Sequence, residues 1–185
     1  MSELRGRVVL LNGASSSGKT SIGQALQLLL PDPWFLAPVD AFGAMRSVSR
    51  TRTLDEAETS EVLRRTRLSY HRAAAGLVAA GNDVIMDYPL SERWRLDDLL
   101  AVLGGYDVTL VEVRCSPEEL ARRERARGDR PLGLAQSQTA VSELGDRDIV
   151  VDTTRTAPAV CAAHIAEALD TLTVPKAFDR LRQQA

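Results

Sequence analysis

The segment from Gly13 to Thr20 carries the clearest chemical signal in the chain. It fits the spacing G-x-x-x-x-G-K-[ST] at every specified position. In this pattern small residues let the backbone curl so that successive N–H groups face one anion, and the following helix adds its positive end. Lys19 is expected to reach the β- and γ-phosphates of a nucleotide, and Thr20 to offer a hydroxyl ligand to Mg²⁺. The motif predicts ATP and Mg²⁺ binding by Gly13, Ala14, Ser15, Ser16, Ser17, Gly18, Lys19, Thr20 and Ser21.

The lysine of this motif is rare in the chain. Of the 23 basic residues, 21 are arginine, so Lys19 and Lys176 are the only lysines. A lysine at the one motif position that requires it argues against a chance Gly/Ser turn.

Two aspartates follow apolar runs that are predicted to be strands. Asp40 comes after residues 34–39, and Asp87 after residues 83–86. Because ligands of open α/β sheets bind at the carboxyl ends of the strands, both carboxylates are expected beside the phosphate loop. Asp40 is predicted to be the catalytic base for an acceptor hydroxyl, with a loop cap or turn former as the alternative. Asp87 is predicted to hold Mg²⁺, directly or through water, or to contact the substrate together with Tyr88.

An arginine-rich segment lies between residues 122 and 130. Arg123, Arg127 and Arg130 share one helical face, where a polyphosphate would relieve their mutual repulsion. We predict an Arg-rich lid over about residues 122–135. Arg123 and Arg127 would bind the nucleotide, and Arg127 and Arg130 would act in catalysis. A solvated helix is the alternative, and it is the favoured interpretation for Arg122 and Arg125.

Thr153 and Thr154 follow the last predicted strand, a position that would lie beside a nucleotide base. A helix-capping role fits these residues equally well. They are included among the predicted nucleotide-binding residues.

Short apolar runs alternate with helical patterns along the chain, which predicts an α/β fold with a parallel sheet and helices on both faces. Residues 43–53 are aperiodic and are predicted to be a loop, and the charged tail after Pro175 to be partly mobile. Residues 1–185 are interpreted as a single P-loop NTPase-type domain. The five predicted strands cover residues 7–12, 34–39, 83–86, 106–113 and 148–151, and the helices cover 19–30, 55–80, 91–103, 116 onward and 157–172.

Composition excludes several classes of protein. A net charge of −2 gives no electrostatic case for a nucleic-acid or anionic-membrane partner. No apolar run approaches the length of a membrane span, and no signal-peptide core is present, so a cytoplasmic location is expected. The sequence leaves a homo-oligomer open.

The P-loop classes can also be narrowed. Neither lysine follows an asparagine, which excludes the Asn-Lys-x-Asp guanine motif, and there is no Leu-Ser-Gly-Gly-Gln run of a transporter ATPase. What remains is a compact kinase that phosphorylates a small hydroxylated acceptor. A metabolite or nucleotide kinase, or a P-loop ATP-binding regulatory protein without an acceptor, are the alternatives.

The chain resembles the chloramphenicol phosphotransferase-like family. The resemblance implies a shikimate-kinase-like P-loop fold and ATP-dependent O-phosphorylation of a small molecule, with antibiotic inactivation as one possible role. It places the family's catalytic aspartate on Asp40, its phosphate-loop lysine and metal-binding hydroxyl on Lys19 and Thr20, and its lid arginines on Arg123, Arg127 and Arg130. The stretches that carry it are residues 9–20, 30–34 with 39–40, 113–115, 126–130 and 151–154.

The resemblance is weakest over residues 43–80 and 88–104, where acceptor recognition is expected. About residues 41–80 are therefore predicted to form the acceptor-binding region. Arginines in this region suggest a polar or anionic acceptor rather than chloramphenicol. They are Arg46, Arg50, Arg52, Arg64, Arg65 and Arg67.

Overall fold

Five parallel strands form one sheet in the computed structural model, which describes residues 5–127 and 145–184. The strand order is β2-β3-β1-β4-β5, and every neighbouring pair is parallel. The predicted α/β class and five-stranded parallel sheet are confirmed. The strands are β1 (Arg7–Asn12), β2 (Trp34–Pro38), β3 (Asp83–Asp87), β4 (Asp107–Arg114) and β5 (Ile149–Asp152).

Helices cover both faces of the sheet. Those in the described residues are α1 (Lys19–Leu29), α2 (Val39–Ala44), α3 (Val48–Thr51), α4 (Glu56–Ala79), α5 (Arg93–Val102), α6 (Pro117–Arg127), α7 (Pro158–Leu169) and α8 (Ala177–Gln183).

The central strand β1 sends alternate side chains into two separate cores. Val8 and Leu10 join a cluster with residues of α4, α5 and α8, while Val9 and Leu11 join one with residues of α1 and α7. This alternation follows from the two-residue period of a strand, and burial on both faces explains why β1 is apolar almost throughout.

The long helix α4 begins at a capping box. The Asp55 carboxylate accepts a hydrogen bond from Glu58 N at 2.8 Å, and the Glu58 carboxylate accepts one from Asp55 N at 3.0 Å. Two of the N–H groups that a helix start leaves unpaired are thus satisfied.

The prediction of a loop over residues 43–53 is wrong, and the tail expected to be partly mobile contains a helix. Residues 43–53 are not a continuous loop, because α2 and α3 occupy much of the segment, and helices this short leave no recognisable period. The tail after Pro175 forms α8, in which Phe178 is only 2% exposed against the core. Its charged residues lie on the outer side of a helix whose apolar residues are too few to give a pattern.

None of the helices in the described part of the chain combines the length and apolar composition that crossing a membrane requires.

Candidate active site

The phosphate loop occupies the turn between β1 and α1. Gly18 has φ 94° and Ser16 φ 63°, so two residues of this turn adopt the left-handed conformation. At Gly13 a Cβ atom would lie 2.5 Å from Val113 O, so only glycine lets the loop pass this close to β4. Lys19 donates hydrogen bonds to Gly13 O at 2.8 Å and Ala14 O at 2.7 Å. Its ammonium group is therefore held at the loop that the motif predicts will bind phosphates.

The loop also holds two buried hydroxyls. Ser16 Oγ and Ser17 Oγ have no hydrogen-bond partner in the described residues. Buried polar groups are normally paired, so unpaired donors in a loop next to a helix N-terminus fit a site that an anion completes.

Thr20 and Asp87 meet where α1 begins and β3 ends. Thr20 Oγ1 donates to Asp87 Oδ2 at 2.5 Å, and Lys19 Nζ lies 3.9 Å from Asp87 Oδ1. A hydroxyl and a carboxylate are hard oxygen donors of the kind Mg²⁺ prefers, so the two residues fit the ion together with nucleotide phosphates. The described residues contain no group of three or more His, Cys, Asp and Glu that would form an all-protein metal centre.

Asp40 lies in the first turn of α2 rather than at the end of a strand. β2 stops at Pro38, and α2 begins at Val39. The side chain is exposed and lines the same cavity as Lys19 and Asp87. The structure thus brings the predicted base and the phosphate loop into one site.

The cavity has a volume of about 520 Å³ and a predominantly basic lining. Its wall includes two acidic and five basic side chains. These are Asp40, Asp87, Lys19, Arg67, Arg95, Arg122 and Arg123. The excess of positive charge suits anionic ligands.

Arg123 joins α6 to the phosphate loop. It donates to Ser16 O at 3.3 Å, to Thr153 Oγ1 at 3.2 Å and to Thr153 O at 2.6 Å. Thr153 Oγ1 in turn donates to Ser17 O at 2.7 Å. Both predicted nucleotide-site residues therefore lie against the loop, where they tie its carbonyls to β5 and α6.

Glu119 neutralises part of the charge on α6. It accepts hydrogen bonds from both Arg122 and Arg123, and these bonds lower the pKa of Glu119 to about 2. Arg122 thus has the surface ion pair expected of a solvated helix, although it also borders the cavity.

Two residues that were predicted to contact ligands, Thr154 and Tyr88, make other contacts instead. Thr154 Oγ1 accepts a hydrogen bond from Ser116 N at 2.9 Å, just before α6, which is the capping alternative. Tyr88 is completely buried, with its ring 5.2 Å from Tyr70 and 5.0 Å from His71, and it is absent from the cavity wall. β3 ends at Asp87, and the chain beyond it turns the next side chain into the core instead of towards the cavity.

Part of the predicted lid lies outside the described residues. This applies to residues 128–135 with Arg130, and to the side chain of Arg127.

Arg95 is a cavity residue that sequence reasoning missed. It comes from α5, and Arg67 from α4 lines the cavity with it. Arg67 belonged to the predicted acceptor region, but nothing separated it from the neighbouring arginines. No local motif identifies Arg95. The only sign of its burial in the sequence is its position among the apolar residues of an amphipathic helix.

The chain matches relatives over nearly its full length. The family model described as chloramphenicol phosphotransferase-like protein matches residues 6–170. Two curated proteins from Mycobacterium tuberculosis strains CDC 1551 / Oshkosh and ATCC 25618 / H37Rv are 33% identical, over 97% of this chain and 89% of theirs. Both carry the name "Putative O-phosphotransferase".

Solved structures share the fold. A Deinococcus radiodurans tunicamycin resistance protein superposes with a TM-score of 0.66 at 19% identity, covering 91% of this chain and 98% of that one. The Mycobacterium tuberculosis APS kinase in complex with AMPPNP and APS gives 0.64 at 17% identity, over 90% and 98% of the two chains. A gluconokinase from Sinorhizobium meliloti 1021 gives 0.58 at 21% identity, over 98% and 96%. At these identities the likeness establishes the P-loop NTPase fold.

Proposed function

The chain belongs to the chloramphenicol phosphotransferase-like family, and from that premise we propose that it is an ATP-dependent O-phosphotransferase acting on a hydroxyl of a small molecule. The observation that carries the proposal is that Asp40 and Asp87 line one cavity with Lys19 and Thr20 of the phosphate loop. A cavity beside the loop with the Asp40 carboxylate in its wall favours a kinase over an ATP-binding regulator that has no acceptor.

In the proposed reaction the acceptor oxygen attacks the γ-phosphorus of ATP in line with the leaving oxygen. The new O–P bond forms as the bond from γ-phosphorus to the β-phosphate oxygen breaks, and ADP leaves. The hydroxyl proton passes to the Asp40 carboxylate and from there to solvent. Where the transition state is loose, proton transfer is late and Asp40 mainly orients the hydroxyl.

The cations of the site have a separate role. Lys19 is positioned at the loop to neutralise charge on the β- and γ-phosphates, and the predicted lid arginines Arg127 and Arg130 would do so from α6 and beyond. Thr20 and Asp87 would hold Mg²⁺, which when bound offsets phosphate charge as a Lewis acid. Arg123, anchored between Ser16 and Thr153, would fix the loop against α6.

The test is a search for the acceptor. ADP release that depends on Mg²⁺ and ATP would be measured across hydroxylated antibiotics, including chloramphenicol, and hydroxylated metabolites. Mass spectrometry would check each product for the added phosphoryl group. Binding of ATP without turnover on a broad panel would favour the regulatory alternative, and turnover of metabolites alone would separate a metabolic role from antibiotic inactivation.

Asp40→Asn is the critical variant. It should lower transfer by about 10²–10⁴-fold, the usual contribution of a positioned acid or base, and leave ATP affinity nearly intact. Asp97→Asn is the matched control, because that aspartate forms a surface ion pair with Arg93 on α5 away from the cavity. Full activity in Asp40→Asn would show that the base assignment is wrong.

A further inference from the structure

Two arginines in the cavity wall do not belong to the phosphate loop or the lid helix. Arg67 is carried by α4 and Arg95 by α5, and both share the cavity with Asp40 and Asp87. The helices that carry them follow β2 and β3 in the chain and pack in the same core cluster, on one face of the sheet. Arg67 and Arg95 thus reach the cavity from helices other than α6, which carries Arg122 and Arg123.

Arg95 is buried and held in place from several directions. Its residue is 6% exposed, and Nη1 donates to Pro89 O at 3.0 Å while Nη2 pairs with Glu92. The guanidinium carbon lies 5.8 Å from the Tyr88 ring centre and 5.7 Å from that of Trp94. Its third nitrogen, Nε, is buried without a hydrogen-bond partner in the part of the chain that the structure describes. A buried cation is normally fully hydrogen-bonded, so the site is incomplete without a further acceptor.

The charge of the Glu92 carboxylate acts on Arg67, but Glu92 already pairs with Arg95. Within the described residues Arg67 forms no salt bridge, and neither Asp40 nor Asp87 pairs with Arg67 or Arg95. Burial lowers the pKa of Arg67, and the nearby charge of Arg95 lowers it further. Two guanidinium groups that repel each other in a partly desolvated wall would be stabilised by an anion between them.

We propose that Arg67 and Arg95 form an anion-binding subsite, so that the acceptor carries a phosphate, sulfate or carboxylate group in addition to the hydroxyl that receives the phosphoryl group. Guanidinium groups match such oxyanions through paired N–H donors, which gives orientation as well as affinity. The inference rests on the proposed function, since it names the class of acceptor for that same site. An acceptor fixed at this end would be held by its anion while its hydroxyl is presented to Asp40.

A binding experiment tests the subsite without knowledge of the acceptor. The protein is first saturated with Mg²⁺ and a non-hydrolysable ATP analogue, which fills the phosphate loop, and inorganic sulfate is then titrated by calorimetry. Sulfate should bind, and Arg67→Gln should weaken its affinity by about tenfold or more, as expected for a charged hydrogen bond. Arg65→Gln is the control, because Arg65 lies on the same helix α4 but pairs with Glu61 and does not line this cavity.

Arg95→Lys serves as a second variant, because it keeps the buried positive charge but removes the planar guanidinium group. It should also weaken sulfate binding, with unfolding followed by circular dichroism to confirm that the chain folds. Absence of sulfate binding to the loaded wild type would overturn the proposal. So would an Arg67→Gln variant that binds sulfate normally but has a raised KM for ATP, since the arginine would then serve the γ-phosphate.

Turnover separates this inference from the proposed function. Paired acceptors that differ only in a phosphate or carboxylate should be phosphorylated with kcat/KM favouring the anionic member, and Arg67→Gln should remove that preference by raising KM. Efficient turnover of the neutral members alone would overturn the subsite and leave the phosphotransferase proposal standing. Sulfate binding that needs Arg67, in a protein that phosphorylates neither member of any pair, would support the subsite and count against the kinase.

Discussion

The two ends of the cavity differ in how their cations are partnered. At the phosphate end Lys19 and Arg123 donate to carbonyl groups of the loop itself, so their positions are set by the chain. At the acceptor end Arg67 has no ion pair within the described part of the chain, and Arg95 keeps one buried donor unpaired. At the phosphate end the chain thus pairs the cations and leaves only the hydroxyls of Ser16 and Ser17 for an anion, whereas at the other end a donor of a cation is itself left for one.

The largest effect should come from substituting Lys19, the lysine of the phosphate loop. Lys19→Ala removes the charge that is proposed to face the β- and γ-phosphates, and it should lower kcat/KM by about 10²–10³-fold, as for loss of a preorganised electrostatic donor. Unlike Asp40→Asn, it should also weaken ATP binding, which calorimetry would measure. Because the variant loses two bonds to loop carbonyls, its unfolding must be followed in parallel. Unchanged ATP affinity in a folded variant would contradict the role given to this lysine.

A smaller effect is expected from removing the hydroxyl of Thr153, which connects the phosphate loop to Arg123. Thr153→Val replaces the hydroxyl that donates to Ser17 O and accepts from Arg123, leaving buried polar groups unpaired. The free energy of unfolding in urea should fall by about 1–3 kcal/mol. Thr171→Val, which loses an exposed hydroxyl bonded to Ala168 O, is the control and should change stability by about 0.5 kcal/mol or less. Equal effects of the two substitutions would mean that the loop does not depend on this tie.

The smallest effect concerns pH and the buried His71, which packs against Tyr88. Burial lowers the pKa of His71 below its ordinary value of 6.5, although the hydrogen bond with Asp98 opposes this. The unfolded chain therefore binds the proton more readily than the folded one, so stability should be full above pH about 6.5 and fall as the pH drops towards the folded-state pKa. Denaturant unfolding of the wild type and His71→Gln should converge as the pH is lowered through this range. His164→Gln, at an exposed position, controls for replacing a histidine; parallel profiles for the wild type and His71→Gln would refute the prediction.

The phosphate end and the sheet could be predicted because their signals are local. A strand, eight motif residues and a helix follow one another in the chain, and the buried strand β1 is apolar almost throughout. The start of α4 was likewise predicted at about residue 55, where the helical pattern begins. Each of these features is decided by neighbours in sequence.

The acceptor end could not be predicted in the same way, because it is assembled from α2, α4, α5 and β3. Arg95 lies in a different environment from its neighbour Arg93, and Tyr88 from its neighbour Asp87. The only cause is the direction in which the backbone turns each side chain. Tyr88 was assigned to the substrate from its position after Asp87, but the backbone beyond the strand directs it into the aromatic cluster with Tyr70 and His71. Tertiary packing decides the direction of such side chains, and it cannot be read from a single sequence.

The position of β1 in the middle of the sheet has an evolutionary consequence. With β3 on one side and β4 on the other, the phosphate loop stands at the boundary between two halves of the sheet. The groups tied to the loop come from α6, from the end of β5 and, through Asp87, from the end of β3, whereas Asp40, Arg67 and Arg95 come from the helices that follow β2 and β3. Mutations that reshape α2, α4 or α5 can therefore change the acceptor that is phosphorylated without disturbing how the phosphoryl donor is bound. Such an arrangement lets one ancestral scaffold diversify its substrates by drift and selection on half of its surface.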